Sequence, residues 1–69
     1  MDKVVLHGRF APNGVVVEMG ERPEPLTPQQ WFNYLSDKAA DAYRTLAGAR
    51  IVFTLPRDRL DALKRDATA

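Results

Sequence analysis

The sequence predicts an α+β fold of order ββαβα, in which a three-stranded, mainly antiparallel sheet (order 2-1-3) packs on one long amphipathic helix and a short helix closes the chain. Three observations carry that expectation. Two segments of alternating, β-branched residues flank the turn sequence "APNG". A run of helical periodicity opens with "TPQQ", a pattern that starts helices. A further alternating segment, "ARIVFTL", runs into Pro56 and then into a charged helical pattern.

The opening hairpin covers residues 3–19. In "KVVLHGRF", Val4, Leu6, Gly8 and Phe10 alternate with Lys3, Val5, His7 and Arg9, and in "VVVEM" Val15, Val17 and Met19 alternate with Val16 and Glu18. Between them, Pro12 and Asn13 suit the centre of a type I turn and Gly14 the left-handed position after it. A turn centred on Asn13-Gly14 would instead place Pro12 at a pairing position with no N–H to donate. Residues 20–26, "GERPEPL", read as an extended connector, because Pro23 and Pro25 push their predecessors away from helix. The long helix is expected over residues 28–47. Thr27 and Gln30 form a capping box, Pro28 takes the first helical position, and Gly48 closes the far end. At about 100° per residue, Trp31, Phe32, Leu35, Ala39, Ala42, Tyr43 and Leu46 gather on one face. The third strand spans 50–55, with Ile51, Phe53 and Leu55 inward and Arg50, Val52 and Thr54 outward. The last helix spans 57–66, with a thin stripe of Leu60, Leu63 and Ala67 and an exposed side laced by Arg57–Asp61 and Asp61–Arg65.

One domain is all that 69 residues accommodate. The absence of cysteine excludes disulfides and thiolate metal sites, which points to a reducing compartment and a cytoplasmic location. No long apolar run predicts a signal peptide, a membrane span or a membrane partner. Residues 1–43 carry a net charge of −2 and residues 44–69 one of +3, an asymmetry weaker than the basic stripe of a dedicated nucleic-acid binder.

Chemistry-bearing residues do not converge. His7 is the one histidine and Ser36 the one serine, and the four glycines form no phosphate-cradling loop. The expectation is therefore no enzyme, no cofactor and no metal. The outward sheet face is the most informative feature. Val5, Val16 and Val52 form an apolar stripe on it, surrounded by Lys3, His7, Arg9, Glu18 and Arg50. Either the final helix folds over this face, or it stays open to a partner. Tyr34 joins the candidate partner-binding set as the aromatic on the polar side of the long helix.

The segment "RIVFTLPRDRLDALKR" resembles the strand and first helix of ribbon-helix-helix DNA-binding proteins over Arg50 to Asp66. The resemblance implies that Arg50, Val52 and Thr54 enter a DNA groove from a ribbon built by two subunits. Arg57, Arg59, Lys64 and Arg65 would supply the remaining basic contacts. The family also needs a second helix, which the three residues after Asp66 do not supply, and its strand usually lies near the N-terminus. The expectation from the whole chain is instead a small non-catalytic regulator or inhibitor that occludes a surface of a larger protein or ribonucleoprotein. Antiactivators and phage or mobile-element inhibitors, anti-CRISPR proteins among them, belong to this size class. A homodimer is a further expectation, since a core this small leaves little margin. A nucleic-acid-binding transcriptional regulator is the alternative.

Overall fold

The N-terminal hairpin forms around its proline-asparagine turn. In the computed structural model, which describes residues 2–69, β1 (Lys3–Phe10) and β2 (Val16–Met19) pair antiparallel. Gly14 N–H donates to Ala11 O at 2.9 Å, Val15 N–H donates to the Asn13 side chain at 3.1 Å, and Gly14 takes a φ of +88°. Only a residue without Cβ adopts that conformation cheaply.

The hairpin is not a uniform ladder. Gly8 faces Met19 and Arg9 faces Glu18, but Phe10 faces Val16, so Val17 is an extra residue on β2. This bulge reverses the facing of the strand upstream of it. Val16 is buried beside Met19, while Val15 and Val17 are exposed. The expectation of Val16 on the outer face and of Val15 and Val17 in the core is thereby corrected. A strict alternation cannot register one inserted residue.

Helix α1 (Pro28–Lys38) begins as its sequence dictates. The Thr27 hydroxyl accepts from Gln30 N–H, and the Gln30 side chain accepts from Thr27 N–H, with Pro28 at the first helical position. It ends at Lys38, not at residue 47. Ala39 leaves helical geometry, a single 3-10 turn (Ala40–Ala42) follows, and Tyr43–Leu46 form a strand, β3. The stretch Ala39–Ala42 offers no large side chain to hold two more helical turns. Tyr43 and Thr45, in contrast, are good strand formers. Tyr43 pairs with Phe53 and lies 5.2 Å from its ring, centroid to centroid. Gly48 thus serves a tight β-hairpin rather than a helix end, with Gly48 and Ala49 both at positive φ.

Strand β4 (Arg50–Pro56) and helix α2 (Arg57–Ala67) complete the chain. The sheet is antiparallel throughout, with four strands in the order β2-β1-β4-β3. The predicted neighbours β1 and β4 are adjacent; the strand missing from the sequence reading is β3, and the one long helix is a short one. The α+β class, the antiparallel sheet and the two helices stand.

Both helices lie on one side of this sheet. Leu6, Ile51, Phe53 and Leu55 from the strands are buried with Trp31 and Leu35 from α1, Ala39 just after it and Leu60 from α2. Phe32 sits edge-on to Phe10, Tyr43 and Phe53 at 5.6, 5.7 and 6.0 Å, geometry that aromatic quadrupoles favour. Trp31 is fully buried and donates its indole N–H to Gly20 O at 3.1 Å.

Ion pairs fasten α2 in place. Arg59 forks onto the Asp41 carboxylate at 3.0 Å and donates to Lys38 O at the end of α1. Arg57 and Lys64 both grip Glu21, in the connector after β2. These hydrogen bonds, with Arg57's first, pull the Glu21 carboxyl down to a pKa of about 2. No described helix is long and apolar enough to cross a membrane.

Candidate functional site

With α1 and α2 on the same side, the other face of the sheet is left uncovered. Residues paired across an antiparallel ladder share a face, so the register assigns this surface residue by residue. Lys3, Val5, His7 and Arg9 come from β1, and Glu18 from β2 opposite Arg9. Arg50, Val52 and Thr54 come from β4, and Arg44 and Leu46 from β3 opposite Val52 and Arg50. All are exposed except Val52, which its neighbours on β1 and β3 cover to 8% exposure.

The apolar members form a diagonal. Val5 stands opposite Thr54, one same-face step from Val52; Val52 stands opposite Arg44, one step from Leu46. Diagonal neighbours on one face lie roughly 7–8 Å apart, within reach of each other's side chains. The stripe Val5–Val52–Leu46 therefore crosses three strands to the free edge of the sheet. Val5 is 49% and Leu46 42% exposed, and His7, Arg9 and Arg50 line one side of the stripe while Thr54 and Arg44 line the other.

Charge is distributed unevenly between the two sides of the molecule. The open face carries four cations, Lys3, Arg9, Arg44 and Arg50, against the single acid Glu18, a net +3. The chain as a whole carries +1, so everything else sums to −2. Pairing is uneven too. Away from the open face Lys38, Arg57, Arg59 and Lys64 hold carboxylates and, among the described residues, Arg22 and Arg65 do not, whereas on the open face only Arg9 does, with Glu18. Among the described residues, Lys3, Arg44 and Arg50 make no ion pair; Arg50 spends one N–H on Ala47 O at 3.0 Å, closing the β3–β4 turn.

Of the partner-binding residues expected from sequence, Val5, His7, Arg9, Glu18, Arg50 and Val52 share this face. Val16 does not, being in the core. Tyr34 does not either: it lies half-buried on the helix side, stacked on Trp31 with centroids 6.1 Å apart. Arg44 and Leu46 belong to the face and were missed, because the segment holding them reads as helix. His7 also lines a shallow cleft with Glu18, Gly20 and Arg22 at the β2 end of the sheet.

The basic set read for nucleic acid is divided. Arg50 and Thr54 point from the open face, whereas Arg57, Arg59 and Lys64 are engaged in the ion pairs that dock α2. Arg65 is exposed on α2 without the expected pair to Asp61, which Arg57 holds instead. The ribbon-helix-helix geometry meets a stronger obstacle. That family pairs its strand with the same strand of a second subunit, but β4 is flanked on both edges by β1 and β3 and has no free edge to offer.

Comparison with protein-family models, with curated proteins and with solved structures finds no match. The chemistry of the open face is therefore the guide to what it binds.

Proposed function

We propose that the chain is a small, non-catalytic binding protein, a regulator or inhibitor, that lays its open sheet face on a larger protein or ribonucleoprotein and occludes it. The single observation that carries this reading is the placement of both helices on one side of the sheet. It leaves Val5 and Leu46 facing solvent at the two ends of the diagonal, with Val52 covered between them and a cationic border around, the composition of a docking surface. Affinity capture from the native host tests it. Wild-type protein should retain a partner identified by mass spectrometry, and Val5→Glu should lose it with an unchanged circular dichroism spectrum. Retention of the partner by folded Val5→Glu would overturn the reading.

A second reading, a small nucleic-acid-binding regulator, draws on the net positive charge of the same face. Its weakness is the absence of stacking platforms. All six aromatic residues pack on the helix side, so bases would meet valine and leucine. A strong shift of an oligonucleotide at low salt, falling steeply as salt rises, would favour it over the first.

A further inference from the structure

The two edges of the sheet are not equivalent, and the difference bears on how a partner is held. At the β2 edge the strand is four residues long, it is bulged at Val17, and Val16 N–H is occupied by the Gln29 side chain at 2.8 Å. Bulges and side-chain caps of this kind are how sheets block the addition of another strand. The β3 edge is equally short, at four residues, but carries neither the bulge nor the side-chain cap. Tyr43–Leu46 pairs with β4 in an unbroken register, contains no proline, and is exposed from Arg44 onward. The apolar diagonal of the open face ends at this edge on Leu46, beside the unpaired Arg44.

Resting on the docking reading above, we propose that β3 is the capture edge, and that its occupant is an extended acidic segment of the partner protein, added as a fifth strand. Strand addition satisfies the edge's backbone groups and reads alternate side chains on each face. On the open face, an antiparallel fifth strand would set one residue opposite Arg44 and another, two positions away, opposite Leu46. The matching segment therefore carries an acidic residue and an apolar residue separated by one position. A second copy of the chain fits this edge poorly. It would bring another Arg44 and another Arg50 to this edge, while its one open-face carboxylate, Glu18, lies on β2 at the far edge of its sheet. A nucleic acid would satisfy the cations but leave the edge's backbone groups and Leu46 without partners.

Amide NMR titration of the whole chain with a blocked peptide, Thr-Glu-Thr-Val-Thr-Glu-Thr-Val, tests the proposal. The peptide should shift the amides of Arg44–Leu46 and slow their hydrogen exchange, leaving Val16–Met19 unaffected. Arg44→Glu, an exposed change, should weaken this peptide about tenfold and strengthen its lysine-for-glutamate counterpart. Any of four results overturns the proposal: no shift at millimolar peptide, shifts centred on β2, tighter binding of oligothymidylate at the same faces, or concentration-dependent β3 shifts without peptide. Such a failure, with partner capture still lost in Val5→Glu, would remove the fifth strand and leave the docking face standing; such a failure with capture retained by folded Val5→Glu would remove the docking face as well.

Discussion

Val5 and Val16 are predicted to answer the same substitution in opposite ways. The Val16 side chain is 2% exposed among core residues, whereas Val5 is 49% exposed on the open face. Fully burying a valine contributes roughly 1.5–3 kcal/mol, so Val16→Glu forfeits that amount. It also forces a carboxylate into the apolar layer, where desolvation costs several kcal/mol more. A 69-residue domain has a total stability on the order of 3–10 kcal/mol at ordinary values per residue. Val16→Glu therefore removes most or all of it. Val5→Glu gives up about half of the smaller term, at most ~1 kcal/mol, and its carboxylate stays in water near Lys3. Urea unfolding followed by tryptophan emission is a suitable assay, because the sole tryptophan, Trp31, is fully buried in the native state. The expected result is a cooperative transition near the wild-type midpoint for Val5→Glu and an unfolded baseline for Val16→Glu. The reverse order would refute the bulged register of β2, since an unbulged hairpin would place Val16 on the open face.

The Glu21 clamp and the β3–β4 turn make two further predictions. Glu21 has a folded pKa of about 2 against an ordinary value of 4.5, so protons bind preferentially to the unfolded chain. Its contribution is complete above pH 4.5 and drains away as pH falls toward 2; with the side chain 31% exposed and screened, about 1 kcal/mol is at stake. Thermal melts at pH 7, 4 and 2.5 should show a smaller acid loss in Glu21→Gln than in wild type, and equal losses would exclude the clamp. Ala49 sits at φ +61°, a conformation that costs an L-residue about 1–2 kcal/mol. Ala49→Gly should relieve it while keeping the hydrogen bond from Phe10 N–H to Ala49 O, raising the melting temperature by ~3–5 °C after the entropic cost of glycine. An unchanged or lower melting temperature would contradict that turn geometry.

Local chemistry wrote the hairpin turn, the start of α1, the third alternating strand and the last helix into the sequence. Pro12-Asn13-Gly14, the Thr27–Gln30 box and Pro56 each act on residues within a few positions of themselves, so no distant contact is needed to read them. Most of the open face was legible for the same reason, since alternation in β1 and β4 is uninterrupted. Three features were settled only by tertiary structure. Ala39, Ala42, Tyr43 and Leu46 fit a helical stripe, yet Tyr43–Leu46 pairs with β4 because that covers Phe53, a partner whose value is set by packing rather than by sequence neighbours. The extra residue at Val17 turns Val16 inward, where its N–H meets Gln29, thirteen positions along the chain. The side of the sheet that α2 covers is the one where Leu60 joins the core, with Asp41 and Glu21, far from it in sequence, holding Arg59, Arg57 and Lys64 at the rim. Periodicity assigns a residue to one of two faces; which face is then covered depends on what the rest of the chain brings to it.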